Sequence, residues 1–275
     1  MKSLKDFHIH TTYCDGSNSP EEMVEAAIDK GLKTMGFSGH SYTFFDEAYC
    51  MMPEDEIAYE KEIRSLAKKY AGRIEILCGV ERDYWAISNT KSWDYIIGSV
   101  HYVRVKADRR STEQIPQGCC EKEGYVYIPV DESPEILMDG VKAYFGGDFY
   151  AFAEEYFSTI ADLVSKTGAD IIGHFDLVCK FNRDGDGVRK GTFFDESDPR
   201  FVKAWKGAVD ILVKDKVPFE INTSGLRKGY RSEPYPSRPI RDYIIQCGGR
   251  LILSSDSHDT GTLCYEFEKF QEEVS

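Results

Sequence analysis

Long apolar stretches are missing from this 275-residue sequence, and no run in it is long and apolar enough to span a bilayer. Positive charge is scarce too: 34 Lys and Arg face 47 Asp and Glu, for a formal net charge of −13. That balance excludes a surface built to neutralise nucleic-acid phosphates, which needs clustered Lys and Arg. It leaves room for a small anionic substrate, because bound cations reverse the field locally. The glycines form neither G-x-x-x-x-G-K-[ST] nor G-x-G-x-x-G, so a nucleotide cofactor has no phosphate cradle. Eight cysteines occur without a CxxC pair, which excludes zinc ribbons and disulfide frameworks and predicts free thiols, the adjacent Cys119 and Cys120 included. The opening "MKSLKDF" has no apolar h-region, so the expected location is the cytoplasm, with no membrane partner.

What is present is a βα rhythm along most of the chain, which predicts an α/β fold with a largely parallel sheet covered by helices, in a single domain over 1–275. The first helix is marked at both ends: Ser19 as N-cap, Pro20 at the first turn, Glu22 completing a capping box, and Gly31 as the stop. The opening segment and the runs at 33–39, 74–81, 94–101, 169–176, 217–225 and 250–258 predict seven strands. Helical spacing predicts helices over 54–70, 149–167, 198–214, 238–246 and 262–274. Residues 102–148 break the rhythm, and a connection of that length predicts a lid or binding loop. "NRDGDGVRKGTF" (182–193) imitates the start of a calcium loop but ends on Phe193 in place of a bidentate Glu, which favours a polar turn. The aromatic "YAFAEEYFSTIADLV" (150–164) has helical spacing and predicts a buried helix face, not a platform for bases.

Histidine is the rarest informative residue, with six copies, and all six fall at strand ends. His8 and His10 sit one residue apart on the opening strand, so both face one way and Ile9 the other. His40 follows the second strand, Glu81 closes the third, His101 the fourth, His174 lies near the end of the fifth, and Asp256 and His258 close the seventh. In a parallel barrel every strand C-terminus opens on the same face, which gathers these side chains with Asp15 into one metal centre. Nine nitrogen and oxygen donors exceed what one ion takes, so two or three divalent ions are expected, with zinc, manganese and iron all compatible.

The ordered set "HIH" (8–10), "GH" (39–40), "GVE" (79–81), "SVH" (99–101), "GHFD" (173–176) and "SDSH" (255–258) resembles the polymerase and histidinol phosphatase family. "YIPVD", "YFGGD", "EINTSGLRKG" and "EPYPS" resemble more closely its stand-alone L-histidinol-phosphate phosphatases. The resemblance implies a distorted, TIM-barrel-like (β/α)7 barrel with a trinuclear site. One ion would take His8, His10, Glu81 and Asp256, a second Glu81, His101 and His174, and a third Asp15, His40 and His258. Many members carry a histidine where this chain has Asp15, a harder ligand that bears on metal choice.

It further implies a metal-dependent phosphomonoesterase that converts L-histidinol phosphate to L-histidinol and phosphate in histidine biosynthesis. Two ions in such sites share a hydroxide that attacks phosphorus in line, so no covalent phosphoenzyme is needed. Arg227 is the leading candidate for holding the phosphoryl oxygens, with Lys180 and Lys228 behind it. Asp256 or His258 would pass a proton to the leaving alkoxide. Competing readings are a phosphoesterase for another small ester or a nucleotide end, an amidohydrolase-like enzyme, and a barrel that keeps its metals only for stability or partner binding. The sequence leaves the oligomeric state open.

Overall fold

A computed structural model of the chain describes residues 4–87, 93–109, 114–182 and 193–274. Its elements in chain order are β1 (Lys5–Asp6), α1 (Pro20–Asp29), β2 (Thr34–Phe37), α2 (Pro53–Lys69), β3 (Glu75–Cys78), β4 (Val80–Asp83), β5 (Ile96–Ser99), β6 (Tyr102–Lys106), β7 (Cys120–Lys122), β8 (Tyr125–Pro129), α3 (Pro134–Phe145), α4 (Phe149–Ala161), α5 (Leu163–Thr167), β9 (Ile171–Ile172), α6 (Pro199–Leu212), β10 (Phe219–Asn222), α7 (Ser224–Arg227), α8 (Arg238–Gln246) and β11 (Leu251–Ser254). The capping box forms as the sequence predicts, with Ser19 and Glu22 each satisfying the other's backbone N–H at the start of α1.

Two parallel sheets carry the barrel strands, in the orders β1-β2-β3 and β11-β10-β9-β5-β4. They meet at two isolated parallel bridges, Ile9 with Ser257 and His40 with Glu81, so pairing continues from β1 to β11 and from β2 to β4. The strand expected over 74–81 is interrupted at Gly79 into β3 and β4. A side chain at 79 would put its Cβ 2.4 Å from the Tyr95 ring, and one at Gly36 would lie 2.3 Å from the Tyr95 hydroxyl. That hydroxyl reaches the carbonyls of Phe7 (2.6 Å) and Phe37 (2.9 Å), so one tyrosine wedges three strands at the base of the site. Gly79→Ala is expected to destabilise the protein by about 1–3 kcal/mol through overpacking, read from urea unfolding.

Helices α1 and α2 bury Met23, Val24, Ala27, Tyr59, Ile63 and Leu66 against Ile9, Met35, Phe37 and Cys78. A larger core joins α4 and α6 to β10 through Phe152, Tyr156, Phe157, Phe201, Trp205, Val209, Phe219 and Ile221. The 150–164 aromatics are therefore core, as their spacing predicts. The helix expected over 149–167 is two, α4 and α5, with Asp162 between them out of helical geometry. The helix expected over 262–274 does not form. Cys264 and Glu266 adopt positive φ, 53° each, and leave only a 3-10 turn at Phe267–Lys269. Tertiary bonds fix that course: the Cys264 N–H donates to Asp6 and Lys30 donates to the Leu263 carbonyl.

The described residues of 102–148 carry regular structure, with a strand on the alternating run at Tyr125–Pro129 and the helix that the run after Ser133 predicts at Pro134–Phe145. Strands β6, β8 and β7 form an antiparallel sheet, and Val103, Val105, Val126 and Ile128 pack with Leu137 and Val141 of α3 into the larger core. The calcium-like stretch lies outside the described residues from 183 to 192. Among the described residues no helix is long and apolar enough to cross a membrane.

Candidate metal centre

The His8–His10 segment lies just past β1 and is held extended by its neighbours. The His10 N–H donates to the Ser257 carbonyl (2.8 Å), the Ser257 N–H to the His8 carbonyl (3.0 Å) and the Ser38 N–H to the Ile9 carbonyl (2.9 Å). Alternation then sends Ile9 into the α1/α2 core and both imidazoles into the barrel mouth, all fully buried. Asp15 comes from a tight turn in which the Cys14 and Gly16 N–H groups both donate to the Thr11 carbonyl; a Cβ at 16 would sit 2.5 Å from the Thr11 nitrogen. Asp256, just beyond β11, takes a left-handed φ of 52°, a conformation Asp tolerates better than most residues.

Glu81 stands at the centre. Its Oε2 lies 3.2 Å from His8 Nε2, 3.5 Å from His10 Nε2 and 3.0 Å from His40 Nδ1. Its Oε1 lies 2.9 Å from His174 Nε2 and 3.5 Å from His101 Nε2, and accepts from the Ser99 hydroxyl at 2.6 Å. Asp256 Oδ1 is 3.7 Å from His8 Nε2, 3.4 Å from His10 Nε2 and 3.6 Å from His258 Nδ1. Asp15 lies 3.1 Å from His258 Nε2 and 3.8 Å from His40 Nε2. The nine residues singled out in the sequence thus converge. Donor atoms within 4.8 Å of one another form three groups: His10, Asp15, His40 and His258; His8, His10 and Asp256; and His40, Glu81 and His101. His40 joins the group with Glu81 and His101, where the resemblance implied His174.

Three buried acids behind the donors were not legible as site residues. Asp83 accepts from the His101 backbone N–H (2.9 Å) and faces its Nδ1 (3.2 Å). Glu220 faces His8 Nδ1 at 2.9 Å, and Asp6 accepts from the Ser255 hydroxyl and from the N–H groups of His8 and Ser255. Their signal is weak but real. Asp83 shares a strand face with Glu81, and Glu220 is the one acid in an apolar strand.

Charge follows the geometry. Burial alone would raise the Glu81 carboxyl, but His40, His8, His101 and His174 hold it well below its usual range. Burial likewise opposes charge on His8 and His101, yet Glu220, Glu81 and Asp256 lift the first well above normal, and Glu81 and Asp83 lift the second to about 9. Burial and the imidazoles of His258 and His40 hold His10 down to about 3.

The mouth opens into a cavity of about 150 Å³ lined by donors, by Lys180 and Lys228, and on the 102–148 side by Tyr102, Pro129, Asp131 and Glu132. Lys180 donates to the Asp131 carbonyl (2.6 Å) and approaches its carboxylate (3.3 Å), which ties the antiparallel sheet to the barrel. Arg227 stands beside the cavity instead of lining it; its guanidinium reaches the Asp256 carbonyl at 3.3 Å and Asp259 at 3.5 Å. The two lysines, ranked below Arg227 from the sequence, are therefore the cations that line the wall.

The donors fit divalent metal. His8 Nε2 and His10 Nε2 are buried without hydrogen-bond partners and point at the same carboxylate oxygens, which is the arrangement an ion would complete. The chain is 27% identical to a protein of Deinococcus radiodurans designated a histidinol-phosphatase, over 100% of this chain and 94% of that one. A Listeria monocytogenes structure designated a histidinol phosphatase superposes with a TM-score of 0.75 at 20% identity, covering 97% of this chain and 100% of that one. The histidinol phosphate phosphatase of Lactococcus lactis, solved with zinc, L-histidinol and phosphate, gives a TM-score of 0.67 at 19% identity over 98% and 93% of the two chains. These likenesses establish the TIM-barrel-like α/β fold. With the PHP domain model matching residues 6–224, the chain belongs to the PHP domain family.

Proposed function

We propose that this chain is a metal-dependent phosphomonoesterase that hydrolyses L-histidinol phosphate to L-histidinol and phosphate, working in the cytoplasm in histidine biosynthesis. The observation that carries this reading is one cavity in which metal donors, two lysines and two carboxylates share a wall. It is supported by the designations of relatives that match nearly the full chain, and by the zinc, L-histidinol and phosphate bound in the Lactococcus protein.

In this reading two or three divalent ions would be held by the donor set: His8, His10, Glu81 and Asp256 would hold one, Glu81, His101 and His174 a second, and Asp15, His40 and His258 a third, with His40 also near enough to serve the second. The nitrogen and oxygen donors suit zinc, manganese or iron, and Asp15 hardens the third position. Ions held there supply Lewis-acid stabilisation of phosphoryl charge and lower the pKa of a water. The chain supplies the rest. Lys228 and Lys180 on the wall, with Arg227 just behind Asp256, would bring positive charge to the phosphoryl group, Asp256 or His258 would pass a proton to the departing alkoxide, and Asp131 and Glu132 would face the cationic end of the alcohol. Tyr102, Pro129, Asp131 and Glu132 close one side of the cavity, which favours a small monoester over a polymer end.

The test is phosphate release by the purified, metal-loaded chain from a panel of monoesters, nucleotides and amides. L-histidinol phosphate is expected to give the highest kcat/KM; activity confined to amides or to nucleotide ends would overturn the assignment. Arg227→Ala and Lys228→Ala are each expected to lower kcat/KM by about 10–100-fold, the worth of a charge-assisted hydrogen bond, with metal content intact. Unchanged kinetics would remove that residue from the phosphate site.

A further inference from the structure

We infer that Glu220 is the positioning residue that assembles the metal centre, by fixing His8 and His174 and, through Asn222, Asp256. The inference rests on the reading that these residues hold metal ions. Glu220 lies on β10 with no exposure to solvent. Its Oε1 accepts from the His174 backbone N–H at 2.6 Å and from the Asn222 side-chain amide at 2.9 Å. Its Oε2 accepts from the Ser254 hydroxyl at 2.5 Å and faces His8 Nδ1 at 2.9 Å. Four donors from four segments of the barrel therefore fill one carboxylate, which leaves it no capacity to act as a ligand itself.

The consequence falls on His8. A carboxylate that accepts at both oxygens is an acceptor only, so Nδ1 must carry a proton and face Glu220 as a donor. In a metal-bound imidazole the bare nitrogen is then Nε2, the atom that is buried without a partner and lies 3.2 Å from Glu81 Oε2. Glu220 thus sets which nitrogen of His8 is offered to the ion. The Asn222 amide extends the same control, because it also reaches Asp256 Oδ2 at 3.3 Å. Among the described residues the other imidazoles are held by fewer segments: Asp83 meets both the backbone N–H and Nδ1 of His101, and His258 Nδ1 faces the Asp256 carbonyl and carboxylate.

Glu220→Gln in the full chain keeps size and removes the charge and one acceptor. The amide nitrogen of Gln would meet either the Ser254 and His8 donors or the His174 N–H and the Asn222 amide, and the cheapest adjustment places it at the first pair, turns the Ser254 hydroxyl away and moves the His8 proton to Nε2. With zinc alone as the probe, competition against a chromogenic chelator is expected to show zinc affinity lowered about 10–100-fold. Long-range proton–nitrogen spectra of the zinc-loaded unaltered chain are expected to place the His8 proton on Nδ1. A purely structural role would lower the melting temperature of the metal-free variant and leave zinc affinity within twofold of the unaltered chain, and that result overturns the inference. Should the variant fail to fold, the spectrum of the unaltered chain still decides, since a zinc-bound Nδ1 overturns it as well. An unaltered chain that binds no zinc refutes the metal reading itself, and is seen before any variant is compared.

Discussion

Glu81→Gln is expected to lower kcat/KM by about 10³-fold or more, because several kcal/mol of metal-derived stabilisation would go with it. The substitution preserves shape and hydrogen-bonding volume, so the fold has little reason to change. The electrostatics change completely. Five imidazoles, those of His8, His10, His40, His101 and His174, lie within 3.5 Å of the two Glu81 oxygens. A neutral amide presents one acceptor where two anionic oxygens stood, and its NH2 group points donors at nitrogens that must themselves donate or bind metal. The variant should therefore lose metal as well as rate, and elemental analysis beside steady-state kinetics separates the two. Full metal content with more than a tenth of the activity would mean that Glu81 is peripheral to the centre.

The donor set was legible because it depends on a periodicity the sequence displays. His8 and His10 alternate about a buried Ile9, and the remaining histidines follow apolar runs too short for anything but strands. Once those runs are parallel, their C-terminal ends share a face, and no packing detail can scatter them. The α1 boundary was legible for the same reason, since Ser19 and Glu22 act within one turn. The last helix was not. Its apolar spacing at 262–274 is genuine, but the backbone turns through positive φ at Cys264 and Glu266, and Asp6, from the other end of the chain, holds that course through the Cys264 N–H. Gly79 is a similar case, because the residue that leaves no room there for a side chain is Tyr95, sixteen positions away.

Supporting acids escape a sequence reading on different grounds. Glu220 and Asp83 act on imidazoles from other strands, and their local signals, a shared face with Glu81 for Asp83 and an acid within an apolar run for Glu220, are too weak to tell them from acids that face water. The cations show the converse. Arg227 has the better chemistry for gripping phosphate, yet Lys180 and Lys228 line the cavity wall, and Lys180 is committed to Asp131. Residue type ranked them one way and position another, which is why both substitutions belong in the same experiment.

Removing metal is expected to lower the thermal midpoint by roughly 8–16 °C for each tightly held ion. Ions present at about a thousand times their dissociation constant stabilise a fold by about 4 kcal/mol, and for chains near this size each kcal/mol is worth about 2–4 °C. The loss is bounded because the metal-free site has its own compensation, in which protonated His8 and His101 pair with Glu220, Glu81 and Asp83. That compensation has a definite sign. A histidine whose folded-state pKa is raised stabilises the fold while it is protonated, and the benefit fades as pH rises through the folded value, about 9 for His101 and well above normal for His8. Metal binding runs the other way, since it displaces those protons and strengthens with pH. The gap between metal-loaded and chelated protein should therefore widen from pH 6 to pH 8, by scanning calorimetry with and without EDTA. A gap that stays constant over that range would mean that the imidazoles are neutral before metal arrives, and that the carboxylates around them do not hold them protonated.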